Sequence, residues 1–418
     1  MHILFLTDNF PPEANAPASR THEHCRVWVE AGHEVTVVTC APNFPKGAVF
    51  PGYRNAWRQE ETIDGIRVIR VWSYVTANEG FARRILDYLS FMATAALAGP
   101  FVRGVDVVVG TSPQFFTACA ACFVAAVKRR PWVFELRDLW PESIRAVGAM
   151  RDSWLLRALE RLELFLYRSA ALVVSVTHSF RDNLQKRGID AAKVAVVTNG
   201  VDIARFSPRP KDEALVRSLG LEGKFVAGYV GTHGMAHALE TLLDAAVLLR
   251  DAPDVRILLL GDGARKDALV ARARELGVGD SVVFIDSVPK SEVARYWSLL
   301  DVSIIHLRRT PLFETVIPSK LFECMGMGIP VLHGVAGESA GIVEREGAGW
   351  VFEPENAGAL AALVRGLRAD PAALAACRAR CLAGAGRYDR RALALAMLGE
   401  LERVAAPSQV PAGQNERF

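Results

Sequence analysis

The sequence is nearly neutral and contains no long hydrophobic run, and each absence excludes a class of protein. Its 418 residues carry 49 Lys and Arg against 46 Asp and Glu, a net charge of +3. This excess is too small to indicate a nucleic-acid partner. No stretch of about 18 residues is both apolar and free of charge, so we expect no membrane-spanning helix. The chain enters a strand-like run, HILFLT, at once, which predicts a cytoplasmic protein without a signal peptide.

Motifs for metals and dinucleotides are also missing. The seven cysteines show no Cys/His metal-ligand spacing and predict reduced thiols. Cys119 and Cys122 are three residues apart, but the Ala-rich helical run around them indicates small core side chains. His22 and His24 lie two apart on a predicted helix, on different faces, so we predict no metal site. The lack of a G-x-G-x-x-G fingerprint disfavours a dehydrogenase, and no Walker loop or H-E-x-x-H motif is present.

What the sequence does contain is a regular alternation of strand-like and helix-like segments. The predicted strands of the first half are short Val/Ile-rich runs, as expected of strands that are buried on both faces. They lie at His2–Thr7, Glu34–Thr39, Ile66–Trp72, Val105–Gly110, Trp132–Leu136, Leu172–Ser175 and Val194–Thr198. Helical segments between them lie at Ala18–Ala31, Gln114–Arg129, Ser153–Ser169 and Ser179–Arg187. This order predicts a parallel sheet with helices on both faces.

A second series of the same kind follows Asn199–Arg217, a segment of turn residues, two prolines and mixed charge that we interpret as a linker. Its predicted strands lie at Phe225–Val230, Arg256–Leu260, Val282–Ile285, Val302–Ile305, Pro330–Leu332 and Trp350–Phe352. Its predicted helices include His237–Arg250, Arg265–Leu276, Ser291–Leu299 and Glu355–Arg368. We therefore predict an α/β protein with two doubly wound domains that face a cleft. The predicted ranges are 1–200 and 223–385 for the domains, 201–222 for the linker, 386–405 for a closing helix and 406–418 for a flexible tail.

The stretch from Thr310 to Gly334 carries the strongest functional signal. A loop containing two prolines leads into a predicted helix, Ser319–Met327, where Lys320 and Glu323 share one face. A helix N-terminus and a lysine suit a phosphate, and a carboxylate suits ribose hydroxyls. The alternative is a surface Lys–Glu pair that contributes little to stability.

Glycine turns precede two further helices of the second half. Gly231 and Gly234 frame Thr232 and His233 just before a predicted helix, a geometry that can receive a pyrophosphate. Asp262, between Gly261 and Gly263, repeats the arrangement after the next strand. Simple turns are the alternative.

Two loops of the first half are candidates for substrate contact. One follows the first strand, from Asp8 to Arg20. The other, Glu135–Glu142, packs four charges and a tryptophan after a later strand, so it is either a substrate loop or a salt-bridged loop.

The segment from Ile85 to Val102 is the most apolar in the chain, with Arg83 and Arg84 before it and Arg103 after it. It could lie on an anionic membrane surface. The alternative is an ordinary helix that packs on the sheet.

Together these features resemble the retaining glycosyltransferases of family four, which have the GT-B fold of two Rossmann-like domains. The resemblance rests on Asn199-Gly200-Val201-Asp202 with Phe206, on Gly261-Asp262-Gly263, and on PSKLFECMGMGIPV from Pro318 to Val331. FPPE from Phe10 and RDLWPES from Arg137 are similar to a subgroup of bacterial enzymes. That subgroup adds amino-deoxy sugars such as N-acetylfucosamine during surface polysaccharide synthesis.

The resemblance implies a UDP-sugar donor, a lipid-linked saccharide acceptor, and metal-independent transfer without a cofactor. Glu323 matches the family glutamate that holds the ribose, whereas the family's other glutamate, eight residues earlier, is replaced by Thr315, with Glu314 one residue away. The family's Arg and Lys of the pyrophosphate site are absent, and His233, Met235 and His237 stand in that region instead.

The resemblance also implies residue roles. The donor-binding residues it implies are Gly231, Thr232, His233, Gly234, Asp262, Ile317, Pro318, Ser319, Lys320, Leu321 and Glu323. The acceptor-binding residues are Pro12, Glu13, Asn15 and Glu142. The catalytic residues are Arg137, Asp138 and Lys320, with Arg308 or Arg309 as further cations for the diphosphate. Two other functions remain open: a nucleotide-sugar 2-epimerase of the same architecture, and a non-catalytic scaffold subunit of a polysaccharide assembly complex.

Overall fold

The computed structural model describes residues 1–13, 15–44, 47–76, 81–112, 114–140 and 154–406. The chain divides into two compact units. The first unit consists of Met1–Val176 and Phe180–Val197 together with the chain from Ala394 onward, and the second consists of Thr177–Ser179 and Thr198–Leu393. Among the described residues, no helix is both long and apolar enough to cross a lipid bilayer.

The first unit is built on a sheet of eight strands in the order β3-β4-β2-β1-β5-β6-β7-β8. The strands are β1 (His2–Leu6), β2 (Glu34–Cys40), β3 (Arg58–Ile63), β4 (Ile66–Val71), β5 (Val107–Thr111), β6 (Trp132–Leu136), β7 (Leu172–Ser175) and β8 (Val194–Val196). Neighbouring strands are parallel except β3 and β4, which are antiparallel. The helices are α1 (Ala16–Glu30), α2 (Phe81–Ala98), α3 (Phe115–Lys128), α4 (Trp154–Ser169) and α5 (His178–Lys186), with 3-10 turns at Gly99–Phe101 and Ala191–Lys193.

The second unit has a parallel sheet of six strands in the order β11-β10-β9-β12-β13-β14. The strands are β9 (Phe225–Val230), β10 (Val255–Leu260), β11 (Val282–Ile285), β12 (Val302–His306), β13 (Val331–Gly334) and β14 (Gly349–Val351). Its helices are α6 (Glu213–Ser218), α7 (Glu240–Leu248), α8 (Lys266–Glu275), α9 (Val293–Trp297), α10 (Lys320–Met327), α11 (Glu338–Glu346), α12 (Ala357–Arg368) and α13 (Pro371–Ala385). The last helix, α14 (Arg390–Ala405), begins in the second unit and belongs to the first unit from Ala394 onward. Short 3-10 turns lie at Met235–His237, Phe313–Thr315 and Gly386–Tyr388.

The structure confirms each strand predicted from the sequence, with small differences at the ends, and it adds one. The added strand is β3, whose residues RQEETI carry charges and no alternating apolar pattern. It lies at the sheet edge, where charged residues protect against further pairing. In the turn between β3 and β4, Asp64 has a φ of 48° and Gly65 a φ of 79°. This Asp-Gly pair is typical of a two-residue hairpin turn, and the hairpin could have been predicted from it.

Two predictions in the second half, one of a linker and one of a helix, need correction. The segment interpreted as a linker contains most of α6. This helix begins after Asp212, whose side chain caps it by accepting a hydrogen bond from the backbone N–H of Leu215. The helix predicted from His237 begins only at Glu240, since Met235–His237 forms a 3-10 turn and Ala238 has a left-handed backbone.

The strand orders determine where a ligand can bind. Each sheet grows in both directions from a central pair, β1 with β5 in the first and β9 with β12 in the second. The loops at the carboxyl ends of such a pair diverge to opposite faces and leave a crevice. Those two loop clusters are the candidate sites.

Candidate functional site

The loops after β9 and β10 pack against each other backbone to backbone in the second unit. Gly231, Gly261 and Gly263 have φ values of 144°, 148° and 151°. A Cβ on Gly261 would lie 1.9 Å from the Gly231 carbonyl oxygen, and one on Gly263 would lie 2.7 Å from that of His233. The close approach of the two loops therefore requires glycine at these positions. The alternative, that the glycines only form simple turns, does not explain this contact.

Hydrogen bonds fix this pair of loops. The His233 N–H donates to the Asp262 carbonyl oxygen at 2.8 Å, and the Arg265 N–H donates to the His233 carbonyl oxygen at 2.9 Å. The Asp262 carboxylate accepts from the Gly263 N–H at 2.7 Å. The result is a backbone platform at the carboxyl ends of β9 and β10, beside the switch point of the second sheet.

Lys320, the first residue of α10, lies over this platform. Its Nζ stands 3.7 Å from the centroid of the Tyr229 ring, and a Cβ on Gly231 would lie 2.7 Å from the same nitrogen. The ammonium thus occupies the space that the glycine leaves open. Burial lowers the pKa of Lys320 to about 8. Tyr229 in turn donates from its hydroxyl to the Thr232 carbonyl oxygen at 2.9 Å.

Glu323 lies one turn further along α10, on the same side as Lys320. Burial raises the pKa of its carboxyl group, against the opposing charges of Arg390, Lys290 and Lys320. Neither Lys320 nor Glu323 forms an ion pair with any described residue within 4 Å. The alternative of a plain surface Lys–Glu pair is therefore wrong.

Two histidines, His233 buried and His237 half-buried, stand where the resemblance implied basic residues. Burial lowers the pKa values of His233 and His237 to about 4, so both rings are neutral at pH 7. Both ring nitrogens of His233 are buried and lack a hydrogen-bond partner among the described residues. A buried polar atom without a partner carries a large desolvation cost, and a ligand that supplies the partner would relieve it.

The remaining predicted donor residues divide by exposure. Ile317 and Leu321 are buried in the hydrophobic core of the second unit, so only their backbone is available to a ligand. Pro318 and Ser319 are half-buried and lead into α10. Arg309 is held by Glu353 at 2.6 Å, whereas Arg308 is exposed and forms no ion pair with a described residue.

The second loop cluster lies at the switch point of the first sheet. Glu13 is buried, and its Oε1 accepts from the backbone N–H groups of Asn43 at 2.8 Å and Phe44 at 2.9 Å. Asn15 caps α1 through the Ala18 N–H at 2.9 Å. Both residues line one cavity. Pro12 is exposed outside the cavity lining, and Glu142 lies outside the described residues.

Arg137 and Asp138 follow β6 at the same edge. The backbone N–H groups of both residues donate to the Ser112 hydroxyl, at 2.8 and 3.2 Å. The Arg137 guanidinium donates to the Pro17 carbonyl oxygen at 3.4 Å, beside the cavity. The structure thus brings Arg137 near the predicted acceptor residues.

Glu135, the first residue of the predicted Glu135–Glu142 loop, belongs to β6 and is structural. It is fully buried, and its carboxylate accepts from the Arg20 Nε at 2.9 Å. Arg20 also donates to the Val197 carbonyl oxygen at 3.0 Å. Sequence analysis missed this pair because the two residues are 115 positions apart. It also missed Tyr229, which has the pattern of an ordinary strand residue.

Family models match nearly the whole chain in two parts. Residues 15–200 match the glycosyl transferase 4-like domain, and residues 211–381 match the glycosyl transferases group 1 domain.

Three named relatives align with most of the chain. WcaI of Escherichia coli, named for colanic acid biosynthesis, is 26% identical over 341 residues, which cover 78% of this chain and 82% of WcaI. WbjE of Pseudomonas aeruginosa is 25% identical over 281 residues, covering 66% and 69%. A GDP-mannose-dependent alpha-mannosyltransferase of Mycobacterium tuberculosis is 25% identical over 347 residues, covering 81% and 80%.

Solved structures show the same fold. HepE of Anabaena in complex with UDP matches with a TM-score of 0.71 and 18% identity, over 96% of this chain and 100% of HepE. WaaG, a glycosyltransferase involved in lipopolysaccharide biosynthesis, matches with a TM-score of 0.67 and 15% identity, over 96% and 99%. At such identities the likeness concerns the fold alone.

Proposed function

The chain belongs to the family-four glycosyltransferases with the GT-B fold, and from this premise we propose that it transfers a sugar from a UDP-sugar to a lipid-linked saccharide. The transferred sugar is an N-acetylated amino-deoxy sugar, and the anomeric configuration is retained. The product enters bacterial surface polysaccharide synthesis. Similarity to WcaI supports this role. The choice of UDP follows the resemblance of the sequence motifs, and HepE, a protein of the same fold, was solved in complex with UDP.

The observation that carries the proposal is the set of groups around the glycine platform. A diphosphate there lies next to the Lys320 ammonium and the ring of His233, which has no partner among the residues that the structure describes and can donate one N–H. Breaking the anomeric bond leaves extra negative charge on the diphosphate, and fixed donors stabilise that charge. The neutral His233 and His237 supply fewer charges than the family's Arg and Lys, so Lys320 carries most of this task. Arg308 is a further cation for the diphosphate, because it is exposed and forms no ion pair with a described residue.

Glu323 completes the donor site. A carboxylate accepts hydrogen bonds from two neighbouring hydroxyls, which is what a ribose presents. Its position one turn beyond Lys320 on α10 lets the two side chains hold the ribose and the diphosphate of one nucleotide.

In the first unit, we assign Arg137 or Asp138 to orient hydroxyl groups of the donor or acceptor. Retention needs no protein nucleophile when the acceptor attacks from the face of the leaving group and the leaving phosphate takes its proton. We predict that this transfer needs no metal ion, which a chelator added to the assay will check.

A membrane contact through residues 83–103 brings the lipid-linked acceptor to the enzyme. In α2 and the following 3-10 turn, Phe91 and Ala95 are buried against the core, while Leu86, Leu97 and Phe101 are exposed. The segment thus packs on the sheet and still presents an apolar face next to basic residues, which favours an anionic lipid surface. Sedimentation with anionic and neutral vesicles tests this contact: Phe101→Ser should weaken binding, while Leu248→Ser, at an exposed leucine of the second unit, should not.

A transfer assay tests the function itself. Purified protein is incubated with a panel of UDP-sugars, with and without lipid-linked saccharides extracted from bacterial membranes, and UDP release and glycolipid products are measured. We expect a glycolipid product that requires the acceptor. Conversion of a UDP-sugar without any acceptor would indicate the 2-epimerase, and inactivity with every pair would indicate the scaffold.

A further inference from the structure

The cavity at the switch point of the first sheet is rich in carboxylates. It encloses about 200 Å³ and is lined by loops after β1, β2 and β5 and by the first turns of α2. Asp8, Glu13 and Asp87 all line it, and Arg84 is the one cation among the described lining residues. That arginine donates to the Tyr88 hydroxyl at 3.0 Å.

The carboxylates act on one another inside this cavity. Burial raises the pKa of Glu13 to about 7 and that of Asp87 to about 7, and the charge of Asp8 adds to both increases. Arg70 and Arg137 lower the pKa values of Glu13 and Asp8 from behind the lining. Above about pH 7, where Glu13 and Asp87 are mostly ionised, a phosphate or carboxylate in this cavity would meet repulsion, and the binding comparisons below are therefore made at about pH 8.

Glu13 provides an independent sign of a ligand. The residue is 4% exposed, and its Oε1 is satisfied by two backbone N–H groups. Its Oε2 is buried and has no partner among the described residues. A buried acceptor without a donor costs free energy. A bound molecule that donates a hydroxyl or amino hydrogen to this oxygen would remove that cost.

The walls fit the apolar faces of a ring. Phe44, Tyr88 and Phe91 line the cavity together with the carboxylates. A cavity of roughly 150 Å³ already takes a benzene molecule, so this one has room for a single six-membered ring. Aromatic walls with a few polar acceptors suit a sugar ring, whose faces are apolar and whose edge carries hydroxyls.

We propose that this cavity binds one uncharged or amino-bearing sugar ring through hydroxyl or amino hydrogens donated to Glu13 and Asp87, and that it rejects anionic sugars. The proposal rests on the proposed function, in which the ring is the end of the acceptor saccharide. The donor sugar offers the same chemistry and is the other source. The three carboxylates make the site selective against uronic acids and sugar phosphates.

Matched methyl glycosides test the charge selectivity directly. Saturation-transfer NMR and competition titrations compare methyl glucoside, galactoside, mannoside and glucosaminide with methyl glucuronide and galacturonide, which differ from the neutral forms by a carboxylate. We expect millimolar binding of at least one neutral or amino sugar and about tenfold weaker binding of its uronide. Equal binding of the pair, or no binding of any neutral or amino sugar to the wild-type protein, would overturn the proposal.

Variants locate the site and separate it from the nucleotide site. Glu13→Gln and Asp87→Asn should each weaken the neutral sugar by about tenfold, as loss of a charged acceptor does, while UDP affinity and thermal unfolding stay near wild type. Asp182→Asn, an exposed carboxylate of the same unit, is the control. Sugar binding that is unchanged in both cavity variants would contradict the site. If Glu13→Gln fails to fold, Asp87→Asn alone decides.

The same titrations distinguish the two sources of the ring and the two proposals. If the neutral sugar still binds when the protein is saturated with a UDP-sugar, the ring is the end of the acceptor. If the UDP-sugar competes with the neutral sugar but UDP does not, the ring is the donor sugar. Failure of UDP to bind, with sugar binding intact, would refute the proposed donor site and leave the cavity assignment standing.

Discussion

At the scale of single residues, the donor site depends on a lysine whose charge is costly to maintain. Lys320 is half-buried and has its ammonium against the face of Tyr229, and burial lowers its pKa to about 8. Only the charged form of Lys320 attracts a diphosphate. Burial disfavours this form, but it also keeps water from screening the charge when the lysine is protonated.

This pKa predicts a pH dependence of nucleotide binding. Below pH 8 Lys320 is protonated and UDP affinity should not depend on its titration. Above pH 8 the lysine loses its proton, and affinity should fall toward a tenth for each further pH unit. Calorimetric titrations from pH ~7 to ~9.5 measure this. Lys320→Met should bind weakly with no such fall, and a wild-type affinity that is flat over the range would refute the assignment.

Tyr229 should act as a positioning residue for Lys320 and for the glycine platform. Tyr229→Phe keeps the ring under the ammonium but removes the hydrogen bond to Thr232, at a cost of about 1 kcal/mol in UDP binding. Tyr229→Leu removes both interactions and should cost about 1–2 kcal/mol more. UDP titrations of the two variants, with unfolding curves recorded alongside, measure the difference. Equal affinities of Phe and Leu variants would show that the ring does not hold the lysine.

At the scale of elements, the platform is rigid because two loops touch through glycine. The sequence indicated turns at these glycines but not their contact, since the contact depends on β9 and β10 being neighbours in register. That register places Val230 beside Leu260, so the two loops leave the sheet side by side.

Substitution at Gly261 tests the contact. Gly261→Ala would place a Cβ 1.9 Å from the Gly231 carbonyl oxygen and force a backbone with φ of 148° on alanine. We expect a loss of about 2–4 kcal/mol in unfolding free energy. Gly279→Ala is the control, because a Cβ at that position would have no described atom within 4 Å, and it should change stability little. Chemical denaturation of both variants provides the measurement.

The buried pair of Arg20 and Glu135 joins α1 to β6 in the first unit. Burial alone would raise the pKa of Glu135, but the charges of Arg20 and Arg137 keep this pKa below its ordinary value. The pair therefore contributes stability above the ordinary pKa of a glutamate, and this contribution is lost as the pH falls through the lowered value.

Removing one member of this pair leaves a buried charge. Arg20→Met should cost about 3–5 kcal/mol in unfolding free energy. Arg26→Met on the same helix breaks only the exposed pair with Glu30, which is worth about 0.3–0.5 kcal/mol. Urea denaturation compares them, and similar losses in the two variants would show that the Arg20–Glu135 pair has no special role.

At the scale of the whole molecule, the sequence predicted two doubly wound sheets because buried parallel strands form short apolar runs that need no long-range information. It could not predict the strand order, which decides that the loops after β1 and β5, and those after β9 and β12, meet at switch points. Asp8 was therefore predicted only as the first residue of a candidate substrate loop, and Asp87 was not predicted as a site residue, because the two lie in segments far apart in sequence. Glu323 and Lys320 were predicted because one helix face already brings them together.

If the proposed function is correct, the second unit binds a uridine nucleotide through Glu323 and Lys320. Calorimetric titration of UDP, GDP and ADP against the wild-type protein, Glu323→Ala and Glu314→Ala tests it most directly, because Glu314 is an exposed glutamate of the preceding 3-10 turn. We expect selective UDP binding that weakens by about 1–3 kcal/mol in Glu323→Ala and is unchanged in Glu314→Ala. No nucleotide binding, or wild-type affinity in Glu323→Ala, would contradict it.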